Sequence, residues 1–281
     1  MTHNIYPCLW FDGNAKEAAT FYCSVFNNSK ITTDTPMVVM FEIEGKKIMG
    51  LNGGPMFTKN PSISFFVTCA SIEEIDSIWN KLLDGGTLMM PLDKYPWGEK
   101  FGFIKDKFDM TWQLIYTTTA TYNQKIMMSM LFVGEQFGKG EEAMRYYTSI
   151  FPNSNVISAK IIEEGRPEPA VAGTLEFGQF NLDNEKFVAM DGAGEHKFQF
   201  NEGLSFVVEC DTQEEIDNYW DTLTKDGSES MCGWLKDKYG VSWQIIPSIL
   251  SKLMSNAEKA PRVIEAFLKM KKFDIETMLN A

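Results

Sequence analysis

Residues Ile63–Gly86 read ISFFVTCASIEEIDSIWNKLLDGG, and residues Leu204–Gly227 read LSFVVECDTQEEIDNYWDTLTKDG. Aligned without gaps, they share 11 of 24 positions, among them Phe65/Phe206, Cys69/Cys210, Glu74/Glu215, Asp76/Asp217 and Trp79/Trp220. Working outward, two more blocks match in the same order. EAATFYCSVF (Glu17–Phe26) aligns with EAMRYYTSIF (Glu142–Phe151), and KDKFDMTWQL (Lys105–Leu114) with KDKYGVSWQI (Lys236–Ile245). Collinear matches of this kind make residues 5–116 and 126–247 two diverged copies of one unit. The drifting offset places extra residues of copy two around Glu163–Pro169 and Asn181–Glu185, and a loss of ten between Gly227 and Trp234. Such changes belong in surface loops.

Periodicity within copy one sets the architecture. Ile5–Phe11 is an apolar run that reads as a buried strand, broken by Asp12-Gly13-Asn14, which supplies a helix cap. Ala15–Phe26 carries a broad apolar helical face, and Val38–Ile43 and Lys46–Leu51 flank Glu44-Gly45 as a hairpin. Ile63–Cys69 is a second strand, and Ser71 with Glu74 three residues on begins a helix over Ile72–Leu83 that Gly85-Gly86 ends. Phe101–Lys105 and Thr111–Tyr116 close the copy as strands. Each copy is thus two βαβββ modules, and the chain holds four, an α+β fold. Two modules side by side curl into a half-open bowl whose concave side suits a ligand, and each copy is expected to form one bowl. The domains expected are 1–122, 123–248 and a C-terminal helical extension, 249–281, that packs outside or covers a sheet edge.

Composition narrows the function. At 281 residues the chain is too long for one ordinary core. A net charge of −12 argues against nucleic acid or an anionic membrane as partner, since both are gripped by lysine and arginine. No segment approaches the ~20 apolar residues that cross a bilayer, and the first residues lack the pattern of a secretory signal. A cytoplasmic protein is expected. Five cysteines without framework spacing fit a reducing compartment.

The stretches LWFDGNAKEAATFYCSVF, LNGG and CGWLKDKYGVSWQIIP resemble the vicinal oxygen chelate superfamily of glyoxalase I, extradiol dioxygenases and fosfomycin and bleomycin resistance proteins. Within it they look like the PhnB-like branch, often labelled a 3-demethylubiquinone 3-methyltransferase domain. The resemblance implies two glyoxalase-like bowls. It also implies where metal ligands would stand: near Tyr6 and Met128 on the first strands, near Ser62 and Gly203 opening the second modules, and at Gln113 and Gln244 on the last strands. None of these is a good ligand for a divalent transition metal, and the chain has two histidines, His3 and His196. No metal and no cofactor is therefore expected. The amides of Gln113 and Gln244 instead suit orientation of a polar ligand group. The methyl-transfer label finds no glycine-rich strand-to-helix turn: Asn52-Gly53-Gly54-Pro55 and Asp191-Gly192-Ala193-Gly194 follow strands, but no helix opens after them.

Candidate ligand-binding residues are Tyr6, Trp10, Asn52, Trp97, Gln113, Met128, Asp191 and Gln244. Trp97 lies in a loop that copy two lacks, which favours copy one as the working half. Trp112 and Trp243, alternating with the glutamines, are core. Cys69 and Cys210 read as buried hydrophobes, and no catalytic residue is assigned. The expected function is metal-free binding of a small apolar or aromatic molecule. The alternatives are an isomerase, lyase or transferase of the same superfamily acting on a small organic substrate, and a non-catalytic interaction module. The fusion places within one chain a pairing that single-copy relatives reach by dimerising, so a monomer is expected.

Overall fold

The structure is a computed structural model describing residues 5–118 and 124–281; His3 and the boundary between the expected domains lie outside the described residues. Module one comprises β1 (Ile5–Phe11), α1 (Ala15–Val25), β2 (Ser29–Asp34), β3 (Val38–Ile43) and β4 (Lys46–Asn52). Module two comprises β5 (Ile63–Cys69), α2 (Ile72–Leu83), β6 (Thr87–Tyr95), β7 (Gly98–Lys105) and β8 (Thr111–Tyr116). Module three runs through β9 (Ile126–Phe132), α3 (Gly140–Ile150), β10 (Asn155–Ile161), β11 (Leu175–Leu182) and β12 (Glu185–Asp191). Module four runs through β13 (Leu204–Cys210), α4 (Gln213–Thr224), β14 (Ser228–Glu229), β15 (Trp234–Lys236) and β16 (Ser242–Pro247). Three short helices follow: α5 (Leu250–Ser255), α6 (Ala260–Phe267) and α7 (Ile275–Leu279).

The α+β architecture of four modules and two bowls stands, but the modules pair across the copies. One eight-stranded sheet has the order β14-β15-β16-β13-β1-β4-β3-β2, and the other β10-β11-β12-β9-β5-β8-β7-β6. Modules one and four share the first sheet, and modules two and three the second. The expectation of one bowl per copy is thereby corrected. The reason lies in the strand edges: each module pairs its own first and last strands in parallel, which leaves the other edge of the first strand free. That edge takes the first strand of a module from the other copy, β1 against β13 and β5 against β9, both antiparallel. A working half that is copy one alone does not exist.

Within a copy the modules meet through their helix-covered faces. Tyr22 and Phe26 of module one lie against Trp112 of module two, centroids 5.3 Å away in each case. Tyr147 and Phe151 repeat this against Trp243, both at 5.5 Å. Both tryptophans are essentially inaccessible, and truncating either to alanine costs about 3–5 kcal/mol. Beneath each sits a buried carboxylate. Asp106 accepts from the Phe108 and Met110 backbone N–H groups and from Trp112 Nε1. Asp237 accepts from Tyr239 and Val241 N–H, Trp243 Nε1 and the Tyr147 hydroxyl. The shared K-D-K motif is therefore structural.

The helix signals hold, with one exchange of partners. Ser71 accepts from Glu74 N–H, and Thr212 and Glu215 close a reciprocal capping box. Asn14 occupies the position before α1 but makes no capping bond; Asn52 from β4 accepts the Ala15 N–H instead. No insertion sits at Asn181–Glu185: Asp183-Asn184 is a two-residue turn with φ of 43° and 74°, equal in length to Glu44-Gly45. The extra residues expected around Glu163–Pro169 do lie between β10 and β11, and others form a short 3-10 turn, Gly134–Gln136, before α3. The ten-residue loss is real and shrinks the long β6–β7 hairpin of module two to the stubs β14 and β15. The C-terminal segment packs there, Cys232 and Gly233 donating their N–H groups to the Met270 and Lys271 carbonyls.

Candidate functional site

Strand alternation sorts the residues by face. On β1 the concave side takes Tyr6, Cys8 and Trp10, because Cys8 stands opposite Ser205, and Gln244 reaches the same serine. The floor of the one–four bowl is thus Cys8, Ser205 and Gln244, with Gln244 Nε2 donating to Ser205 Oγ at 2.9 Å. The floor of the two–three bowl is its counterpart: Gln113 Nε2 donates to Ser64 Oγ at 2.8 Å and Ser129 Oγ at 3.1 Å. Both glutamines face the concave side as expected, but each is only 6% exposed. Their amides are engaged by neighbouring hydroxyls.

The structure moves Met128. Alignment of β1 with β9 makes Met127 the counterpart of Tyr6 and Ser129 that of Cys8, so Met128, opposite Phe65, points into the core and is 1% exposed. The serines were legible as the shared I/L-S-F of the repeat, Ser64/Ser205. Ser129 has only a cysteine as its counterpart, so no identity marks it.

Asn52 and Asp191 are equivalent, as expected, but they brace helices. Asn52 takes the Ala15 N–H and donates to the Pro36 carbonyl. Asp191 accepts from Gly138, Gly140 and Leu175 N–H at 3.0, 3.1 and 2.7 Å, and its pKa is raised by burial against the pull of those bonds. Gly54 and Gly194 take φ of 89° and 93°, as rim turns require. Trp97, half exposed, stacks on Tyr95 at 5.1 Å at the tip of the β6–β7 hairpin, on the two–three bowl.

The two concave faces differ in chemistry. In the two–three bowl Phe66, Phe101, Ile115, Met127 and Val188 form a small apolar cluster of their own, flanked by Tyr95 and Phe177. In the one–four bowl the Tyr6 hydroxyl and Lys47 Nζ each donate to Glu209 Oε1 at 2.8 Å, and Lys47 lies 4.1 Å over the Tyr6 ring. Burial and the neighbouring Glu209 hold the Tyr6 phenol far above its ordinary range, so it stays protonated. Burial likewise pushes the Cys8 thiol up to about 12, which leaves it a poor nucleophile at neutral pH.

At the mouth of this bowl the shortened β14–β15 edge opens a cleft of about 430 Å³. Trp10, Phe57 and Trp234 line it and all keep exposed surface. Trp10 meets Phe57 edge to face at 5.0 Å and Trp234 at 5.9 Å, and its Nε1 donates to the Gly54 carbonyl at 2.7 Å. Phe57 and Trp234 were missed because no periodicity marks a loop aromatic or a three-residue strand as ligand-facing.

Neither floor suits a glyoxalase-type metal. Serine, glutamine and a buried thiol held protonated do not form the imidazole and carboxylate set that such a metal takes. Among the described residues no three His, Cys, Asp or Glu side chains come together to hold a metal. His196 instead lies 3.1 Å from the Ala193 carbonyl.

The family model described as 3-demethylubiquinone-9 3-methyltransferase matches twice, over residues 3–115 and 124–246. Among curated proteins no sequence matches significantly. Similar solved structures include a Bacillus cereus protein described as a putative 3-demethylubiquinone-9 3-methyltransferase, PhnB protein. It is 34% identical, spanning 40% of this chain and 98% of that one, with a TM-score of 0.38. Glyoxalase I from Zea mays is 9% identical over 91% of this chain and 97% of its own, with a TM-score of 0.58. That likeness establishes the fold, two bowls built within one chain.

Proposed function

Since the chain belongs to the 3-demethylubiquinone-9 3-methyltransferase family, in its PhnB-like branch and on a duplicated glyoxalase fold, we propose that it binds a small apolar or aromatic molecule without a metal, at the mouth of the one–four bowl. The observation that carries this reading is the cleft that the truncated β14–β15 edge leaves between Trp10, Phe57 and Trp234. Partly exposed aromatic rings offer flat apolar surface at small entropic cost. The two–three bowl supports the same choice by contrast, because the middle of its concave face is filled by its own side chains. Methyl transfer is not part of the proposal: the turns after β4 and β12 serve as helix braces, and no helix opens after either to hold a nucleotide.

The test is titration with the neutral fluorescent probe N-phenyl-1-naphthylamine. One site per chain is expected, weakened about tenfold by Trp234→Ala through loss of a stacking face and unchanged by Phe103→Ala in the other bowl. The opposite pattern overturns the assignment. Metal analysis of the purified protein is the companion measurement, and stoichiometric zinc, nickel or iron would sink the metal-free reading.

A further inference from the structure

The chemistry of the same cleft narrows its ligand, an inference that rests on the binding reading above. Phe57 and Trp234 stand at 82° and 75° to the Trp10 ring plane, so three aromatic rings meet as a corner. Where a ring of such a corner presents its face, a positive charge within about 6 Å of the ring centroid is attracted by the quadrupole. The charged side chains of the lining are Glu202, Glu229 and Lys236. Lys236 is already committed to Glu202 at 2.9 Å. Glu229 is held from outside by Lys271 at 3.2 Å and by Trp220 Nε1 at 3.2 Å. Each carboxylate of the lining is therefore matched by one lysine, and no lining cation is left uncommitted. An anionic ligand would have to take Lys236 from Glu202.

We propose that the Trp10–Phe57–Trp234 cleft takes a small organic cation, an alkylated or quaternary ammonium group seated against the three rings. An ammonium whose nitrogen is fully methylated has no N–H to give water and is weakly hydrated, so it enters an aromatic corner at small desolvation cost.

The test compares choline with 3,3-dimethylbutan-1-ol, its neutral carbon isostere, by titration of the full chain followed through the indole N–H resonances of Trp10 and Trp234. The two probes have the same shape, so any difference reports charge. Choline is expected to bind about tenfold more tightly. Trp234→Leu, which keeps apolar bulk and removes the ring face, should cut the choline affinity and leave that of the alcohol nearly unchanged. Phe57→Leu should do the same independently if Trp234→Leu perturbs folding. Equal affinities, or a preference for the alcohol, overturn the cationic class. Absence of binding by choline overturns it as well. In either case N-phenyl-1-naphthylamine binding that remains sensitive to Trp234→Ala leaves the cleft reading standing, whereas its loss removes both.

Discussion

Gly53→Ala should damage this protein through a single side chain. Gly53 lies on the rim turn after β4, and a Cβ placed there falls 2.1, 2.3 and 2.4 Å from Cζ2, Cε2 and Cη2 of Trp10. Its φ is not in the left-handed region, so alanine meets no backbone penalty and the clash is purely with the indole. The ring must leave, which breaks the Nε1 bond to the Gly54 carbonyl and both edge contacts with Phe57 and Trp234. About 1 kcal/mol for the hydrogen bond and ~0.5–1.5 kcal/mol for each aromatic contact put the cost at about 2–4 kcal/mol. Urea unfolding followed by circular dichroism, which does not depend on the displaced chromophore, measures it. The decisive comparison is a double-mutant cycle: in a Trp10→Ala background Gly53→Ala should be nearly neutral, giving a coupling of about 2–4 kcal/mol. If Gly53→Ala costs as much without the indole as with it, the clash lies elsewhere and the reasoning fails.

Three further outcomes follow from the geometry. Burial raises the Asp237 carboxyl to about 6, so the native state holds this proton more tightly than the unfolded chain. The stabilisation is fully present below about pH 4 and lost as pH rises through 6; relative to Asp237→Asn, wild type should lose roughly 3 kcal/mol between pH 4 and 7 in urea titrations, and a pH-independent difference would contradict this. Met128→Ala should cost about 2–4 kcal/mol as a core cavity while leaving N-phenyl-1-naphthylamine binding unchanged in the folded protein; weakened binding at full stability would put Met128 back on the concave side. Asp191→Ala strips three backbone N–H groups of their acceptor and should cost about 2–3 kcal/mol, against about 1 kcal/mol for Asn52→Ala, which removes one; thermal unfolding showing the reverse order would refute the bracing roles.

The local chemistry of the sequence settled a good deal. Strands β1, β3 and β5 and helix α2 fall at the expected residues because buried strands and amphipathic helices repeat with different periods, and a duplicated pattern reads each signal twice. The inward Trp112 and Trp243 follow from strand alternation alone. The edge strands β2 and β6 carry little burial on either face, so periodicity could not mark them.

Which modules share a sheet was not legible, because each first strand offers the same apolar edge, and a partner from either copy satisfies its hydrogen bonds equally well. Only the packing of Tyr22 and Tyr147 across the helix-covered faces, with β1 against β13 and β5 against β9, resolves the choice. The candidate site divides the same way. The sequence pointed to Trp10 and to the two glutamines, and the structure puts all three on concave faces. That the glutamines are covered, that Asn52 and Asp191 brace helices, and that Trp10 shares a cleft with Phe57 and Trp234 depend on residues far apart in the chain brought together by that pairing.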